Sequence, residues 1–550
     1  MRKRITFIHE PNAAFNPNQL TITDSSLSVR SLHGAREERA TFTYNELPQE
    51  LWQVLKQCHE LHIRWAAQYP FEAVPPFASR VAPGLHVFYT PGGKGEENSL
   101  LCPLLRKVFD DGLKCVVPEK SFITPPILST RFASTSSLQF HQLLPSLAEL
   151  VTYIQQKLCP QSDSACQSHA ATLLSADSLD IDYDSISHAL TIAGYWSRPS
   201  ADAEEGWKET IEKDERVEVG VLAMEKATEA EELSVGGFLV VVGEDKKLQP
   251  TLFSFPSRHH PLPQSHTYTV SFPAPTGLHP TLLLTLPPAS LHPPPTALAG
   301  SKCALHTYLT LPSVLFADKY QLSTTDPLFL ESHHLLALRG IAGETDLEAP
   351  DWVTERWGSN LLLELATPDT YSSTSTSTTD PNKSTVTKTT EEEEEEEGNW
   401  TITIPLHLRY LPPSPTGYRN ASIPWPVVFW ACTTEEGTKM GTNPFDRVGL
   451  GWDGLFGPRT MFYQLHPGRG VGGGVGVGNL TEEIRVPVLV VGDGGGEGDG
   501  VWSVPRNIEM GTMVVVLLGF LWVLGRLAGV VRAGGVGRGR VGDDKRRKRE

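Results

Sequence analysis

From Met510 to Gly525 the sequence runs MGTMVVVLLGFLWVLG without a charge, meets Arg526, and stays apolar from Leu527 to Val531. As a helix the uncharged stretch would rise only ~24 Å, short of a ~30 Å hydrocarbon core. Adding the residues beyond Arg526, whose guanidinium can snorkel to the interface on its long stem, makes 508–531 one membrane-spanning helix. Its modest length suits a thin bilayer such as that of the endoplasmic reticulum. Everything else in the chain must then lie on one side of a membrane or the other.

The flanking charges choose the side. Arg532, Arg538, Arg540, Lys545, Arg546, Arg547, Lys548 and Arg549 follow the span, whereas in the twenty residues before it Arg506 is the only base, among Asp493, Glu497, Asp499 and Glu509. Positive residues stay on the cytosolic side, which makes 532–550 a basic cytosolic tail and puts the N-terminus in the lumen of a single-pass protein. The chain ends in KRRKRE, so the apolar stretch is not a signal for attaching a glycolipid anchor. The start, MRKRITFIHEPN, carries bases, but its apolar run is too short for the hydrophobic region of a signal peptide, and no cleaved signal is expected. A tail-anchored adaptor with its bulk in the cytosol is the alternative, and it contradicts the charge rule.

A formal charge of −17, with the bases gathered mainly in the tail, argues against nucleic acid as a partner. The seven cysteines, Cys58, Cys102, Cys115, Cys159, Cys166, Cys303 and Cys432, are too scattered for a disulfide scaffold. One or two bridges fit an oxidising lumen, and the odd count leaves at least one thiol over.

Residues 1–250 read as a mixed α+β region. Leu51, Val54, Leu55 and Cys58 recur at helical spacing after Pro48, as do Leu147, Leu150, Val151, Ile154 and Leu158. Leu61 to Trp65, Leu85 to Tyr89, Leu179 to Tyr183, Val217 to Val221 and Phe238 to Val242 read as strands. From 251 to 491 the pattern is β, with seven or eight strands punctuated by Pro and Gly, which suits an antiparallel sandwich. In WTITIPLHLRY, Trp400, Ile402, Ile404, Leu406, Leu408 and Tyr410 face one way and Thr401, Thr403, His407 and Arg409 the other, with Pro405 marking an edge or bulge. The tract 371–398, ending in seven glutamates, is too polar and self-repelling to fold and reads as a disordered insert. Glycine-rich sequence at 492–507 reads as a stalk to the membrane.

Chemistry is sparse. His259-His260 and His333-His334 have no Asp, Glu or Cys at ligand spacing and read as structural or surface histidines, so no metal site is expected. Asp180-Ile181-Asp182 matches the DxD triplet of many sugar-nucleotide transferases but falls in an alternating strand. Asp346, Glu348 and Asp351 of GETDLEAPDW read as a turn or an interface rather than acid-base catalysts. No catalytic residue and no cofactor is assigned. Sequons at Asn382, Asn399, Asn420 and Asn479 cluster in the β region and agree with a lumenal side.

LPSVLFADKYQL (311–322), GETDLEAPDW (343–352), IPLHLRYLPPS (404–414), GYR (417–419) and WPVVFWAC (425–432) together resemble the PIG-X family, the accessory subunit of glycosylphosphatidylinositol mannosyltransferase I. KQCHELHIRW (56–65), GGFLVVVGED (236–245) and TLFSFPSRHHP (251–261) resemble its longer fungal form. The resemblance implies a non-catalytic glycoprotein of the endoplasmic reticulum membrane whose lumenal domain stabilises a separate, many-spanning catalytic subunit, the enzyme that adds the first mannose to the anchor precursor. It also allows a part in the folding or stability of other lumenal proteins. A lumenal glycan-processing enzyme is the reading of another class, and the scattered acids do not support it. If the apolar side of WTITIPLHLRY is buried, His407 and Arg409, with Asp346 and Glu348 of GETDLEAPDW, are left to meet the partner. Arginine suits such a contact because its planar fork can pair with a carboxylate while its stem packs on apolar surface.

Overall fold

The basic start of the chain is an interior strand. Arg2–His9 pairs in parallel with Arg216–Glu225 on one side and antiparallel with Gly34–Thr43 on the other. Its bases are matched by acids on neighbouring strands: Lys3 Nζ lies 2.5 Å from Glu209, and Arg4 Nη2 lies 3.3 Å from Glu218. The alternate residues Ile5 and Phe7 are buried with Leu27, Val217 and Val219 beneath a small sheet of Trp207–Thr210, Ser26–Val29 and Leu20–Ile22. The computed structural model of the protein describes residues 2–9, 16–29, 34–92, 99–125, 137–159, 162–198, 207–210, 216–294, 301–369, 398–434, 449–468, 478–490 and 506–535.

Ten strands form the first large sheet, in spatial order Gln249–Pro256, Glu232–Val241, Arg216–Glu225, Arg2–His9, Gly34–Thr43, Ala189–Trp196, Ser178–Asp184, Cys58–Ala66, Gly84–Pro91 and Leu138–Gln142. The helices Gln49–Leu55, Leu101–Val108 and Ala148–Lys157 put Val54, Leu105 and Leu150 into one core with Ile63, Val87 and Phe140 of the strands. Each such side chain removed from water contributes about 1.5–3 kcal/mol. Both helices expected from spacing are present, each starting within two residues of its expected opening; Leu101–Val108 lies in sequence that carried no assignment.

A six-stranded sheet follows, in the order His259–His260, Thr460–Gln464, Val427–Thr433, Cys303–Pro312, Gly358–Leu365 and Leu335–Gly343. A four-stranded sheet runs Trp400–Pro405, Thr281–Leu286, Thr267–Ser271 and His466–Pro467. Tyr268 Oη donates to Pro426 O at 2.7 Å, and Trp400 Nε1 to Ala366 O at 2.9 Å, tying the two layers of the sandwich across a core that includes Leu284, Ile402, Leu361 and Val428. Pairing is antiparallel except where His259–His260 and His466–Pro467 join their neighbours in parallel. Pro405 ends an edge strand, where its missing N–H costs no ladder bond.

The boundary read at 250/251 falls inside Gln249–Pro256, the edge strand of the ten-stranded sheet, and the regions on either side of it are one compact unit, Met1–Leu411 with Asn420–Val486. Gln139, fully buried at the end of the ten-stranded sheet, shows why. Its backbone oxygen accepts from Trp357 Nε1 at 2.9 Å and its Oε1 from Asn360 Nδ2 at 2.8 Å, so the regions share buried polar bonds as well as apolar core. Gly451, at φ +90°, lies where a Cβ would stand 2.9 Å from Gln139 Nε2 and 3.1 Å from the Tyr308 hydroxyl, a close approach that only glycine permits.

Three disulfides correct the expectation of one or two bridges: Cys102–Cys115, Cys159–Cys166 and Cys303–Cys432. Cys303 and Cys432 lie opposite each other on adjacent strands, 129 residues apart in sequence, a pairing that spacing alone does not reveal. Cys58 is the buried free thiol. The second unit, Pro412–Arg419 with Pro487–Glu550, carries the helix Arg506–Gly535, in which Met510–Gly529, with mean hydropathy 2.0, is long and apolar enough to cross a membrane. Asn382 and all but Gly398 of the 371–398 insert lie outside the described residues, as do 492–505 of the stalk and 536–550 of the tail.

Candidate functional site

The site grows from one aromatic ring. Leu315–Phe316 pairs with His407–Leu408, setting Phe316 opposite His407, whose imidazole stacks on it with centroids 5.2 Å apart. The Arg409 guanidinium lies 4.5 Å from the centre of the same ring. Its Nη1 donates to the carbonyl oxygens of Asp346 at 2.5 Å and Ala349 at 2.7 Å, and its Nη2 to Glu344 O at 3.2 Å. Burial lowers its pKa against the pull of Glu344, Asp346 and Asp351, and a guanidinium so placed stays charged.

Arg409 is therefore not offered to a partner. It is 3% exposed and Tyr410 is 69% exposed, the reverse of the expected sides. Alternation holds from Ile402 to Leu408 and fails one residue later, because Arg409 N turns to donate to Val314 O at 2.9 Å and the side chain follows it inward. His407 is half-buried, its Nδ1 2.9 Å from His279 Nδ1 and its Nε2 3.3 Å from Gln321 Oε1. Burial, and then the neighbouring His279, lower its pKa.

The carbonyls held by Arg409 belong to the loop that carries Asp346 and Glu348, both exposed. The loop is fixed at its far end as well: Asp351 N donates to Tyr410 O at 3.0 Å, and Asp351 Oδ1 accepts from Ser313 Oγ at 2.5 Å. Pinned from below, it presents Leu347, Trp352 and Val353 to solvent beside Tyr410, with Trp352 55% exposed. A tryptophan and a tyrosine on a rigid base, rimmed by carboxylates, have the chemistry of a protein contact surface. Tyr410 was placed on the buried side of its strand and Trp352 carried no individual assignment in the sequence, although a tryptophan in an acidic, proline-bounded turn with no strand pattern to bury it was a usable signal.

The remaining assignments fall elsewhere. Asp180 Oδ1 lies 2.6 Å from Arg64 Nη1, and Asp182 Oδ1 lies 3.1 Å from Arg64 Nη2 and 2.7 Å from His62 Nδ1, so the DxD acids serve a buried arginine. His259 packs edge-on to Trp452, and His260 Nε2 donates to Ser257 O at 2.7 Å. His334, at φ +54°, caps a helix and stacks on Trp400. No group of three His, Cys, Asp or Glu among the described residues could hold a metal ion. Asn399, Asn420 and Asn479 are all exposed.

Fold and surface together define a β protein with one candidate membrane helix and a surface loop pinned by Arg409. The PIG-X / PBN1 family model matches residues 275–528, which take in most of the sandwich, the loop and most of that helix. Over 546 residues the chain is 58% identical to Protein pbn1 of Emericella nidulans, covering 98% of this chain and 97% of that protein. It is 53% identical over 557 residues to Protein pbn1 of Aspergillus fumigatus, covering all of both. With Protein PBN1 of Saccharomyces cerevisiae it shares 28% identity over 262 residues, 46% of this chain and 50% of that protein. The chain belongs to the PIG-X / PBN1 family.

Proposed function

We propose that this protein is a non-catalytic accessory subunit of the endoplasmic reticulum complex that transfers the first mannose to the glycosylphosphatidylinositol precursor. It acts by binding: the surface around Trp352 and Tyr410 holds the many-spanning catalytic subunit in a stable form. The observation that carries this reading is the loop clamped by Arg409, which keeps exposed aromatic side chains fixed in a member of the PIG-X / PBN1 family. Surface aromatics on a pre-ordered base bind with little further loss of side-chain freedom. Asp346 and Glu348 form the acidic rim, and His407 sets the ring on which the clamp rests.

A lumenal site for the β unit is supported by three disulfides, which persist in oxidising compartments, and by the exposure of Asn399, Asn420 and Asn479. The basic tail after the candidate span supports a cytosolic C-terminus. The glycan-processing alternative loses its best feature, because Asp180 and Asp182 are engaged by Arg64. Co-purification of the full chain from detergent-solubilised microsomes, with the companions identified by mass spectrometry, tests the reading. A multi-spanning mannosyltransferase should be recovered, and an endoglycosidase should shift the mass of the chain. Recovery of cytosolic companions alone, with no shift, would favour the adaptor reading instead.

A further inference from the structure

Besides its helix, the second unit carries a small staple made of Pro412–Arg419 and residues 487–490. Its sequence makes it stiff. Pro412, Pro413 and Pro415 fix φ, and Gly417, at φ +72°, turns the chain back on itself. Gly417 N donates to Ser414 O at 3.1 Å within the turn, and two bonds join the turn to the other segment: Val488 N donates to Gly417 O at 2.9 Å and Ser414 N to Leu489 O at 3.0 Å. The Arg419 guanidinium closes the loop, with Nε donating to Pro412 O at 2.8 Å and Nη2 to Pro413 O at 3.1 Å. A Cβ on Gly417 would stand 3.0 Å from Val490 Cγ2, so Val490 lies close against the turn.

What this braced tip exposes is apolar. Leu489 is 80% exposed, Val490 65% and Tyr418 44%. Val490 is bridged to Ser414, and consecutive residues of an extended segment point to opposite sides of it. Both sides of the tip are therefore apolar and uncovered. A protein that docks along a strand covers one of its faces, whereas a tip that dips into a bilayer has lipid on both. Aliphatic side chains beside an exposed tyrosine have the composition of an element lying at a membrane interface, where the tyrosine ring sits at headgroup level.

Chain length brings a bilayer within reach. Fifteen residues, 491–505, separate the tip from Arg506, where the helix begins, and seven of them are glycine. A glycine-rich chain of that length averages about 20 Å end to end and cannot exceed about 50 Å. We infer that the staple is a membrane foot: Leu489 and Val490 insert at the boundary of headgroups and acyl chains in the bilayer that Met510–Gly529 crosses, with the Tyr418 ring at headgroup level. The inference rests on that helix spanning a membrane and is independent of the partner surface at Trp352.

The test uses the full chain, reconstituted without other proteins into phosphatidylcholine vesicles at low protein density. Leu489→Cys, Val490→Cys and Val516→Cys are each labelled with a fluorophore in the absence of reductant, where buried Cys58 stays unlabelled. Leu489 and Val490 are exposed, so their variants should unfold at the parent temperature, which thermal unfolding checks. Lipids carrying a nitroxide near the headgroup should quench the labels at 489 and 490 at least twofold, and aqueous iodide should not reach them. A nitroxide deep in the acyl chain should quench the label at 516. Labels at 489 and 490 that stay open to iodide and unquenched, with 516 quenched, would overturn the foot and leave the span. No quenching at 516 would overturn both. Shielding at 489 and 490 that appears only at raised protein density would assign the tip to a second copy, and shielding only with added microsomal protein to a protein partner; either result would overturn the inference.

Discussion

Arg409 lies with its guanidinium 4.5 Å from the centre of the Phe316 ring, and from that position it bonds to three carbonyl oxygens of the 344–349 loop. The pair joins the sandwich to the surface loop. Arg409→Ala should therefore unfold or loosen the loop rather than trim an interface. Three charge-assisted bonds to carbonyls of the loop are lost together, and a cost of about 3 kcal/mol is expected. Thermal unfolding of the full chain, with proteolysis mapped at 344–353, checks this; a variant as stable and as resistant as the parent would show that the clamp is dispensable.

Phe316→Leu removes the ring beneath Arg409 and His407 while keeping most of the apolar volume. A loss of about 1–2 kcal/mol is expected from the missing cation–π and stacking contacts. In a double-mutant cycle with Arg409→Ala the two changes should be strongly non-additive, because they act on one contact. Additive losses would mean that Arg409 is held by the carbonyls alone.

Thiol chemistry offers a third check. Cys58 is buried, and burial pushes its pKa up to about 12, so it should resist alkylation in the folded chain. Alkylation without reductant should add no adduct to the native protein, one after denaturation, and seven after denaturation with reduction, as read by intact mass. More than one adduct in the denatured, unreduced sample would contradict the three bridges.

Acid should destabilise the β unit in two steps. Burial holds the pKa of His86, His260, His306 and His466 at about 4 in the folded protein, against ~6.5 in an unfolded chain. Between these values the unfolded state binds protons that the folded state does not, so stability falls as pH drops from 6.5 towards 4. Glu38 continues the trend. Burial would raise its pKa, but the hydrogen bond from His169 and the charges of His169, Arg36 and Lys3 outweigh that and hold it at about 2, so its stabilisation is lost below ~4.3. The unfolding temperature measured from pH 7 to pH 3 should decline throughout, and a flat profile above pH 4 would contradict the buried neutral imidazoles.

Much of the fold was legible because local pattern and burial coincide. Leu179, Ile181 and Tyr183 alternate in sequence and are buried in alternation within Ser178–Asp184. Period-2 reading fails at Arg409 because its burial depends on carbonyls supplied by a loop some sixty residues away, which no local pattern encodes. The Cys303–Cys432 bridge escaped for the same reason, since the two cysteines meet only once their strands are neighbours. GETDLEAPDW was legible as an exposed turn, and Asp346 and Glu348 are exposed in it, but the rigidity of that turn comes from Arg409 and Ser313 on other elements.

On the proposed function, Trp352 and Tyr410 bind a partner and take no part in its chemistry. Each has the character of an interface hot spot, worth about 2 kcal/mol or more when truncated, or roughly thirtyfold in affinity. The direct measurement uses microsomes carrying Trp352→Ala with Tyr410→Ala, in which catalytic-subunit abundance and mannose transfer to the anchor precursor are determined in the same sample. The variant chain should be present at its normal level and unfold at its normal temperature, while the catalytic subunit falls severalfold and transfer per remaining catalytic subunit stays unchanged. A reduced rate with undiminished catalytic subunit would contradict the account.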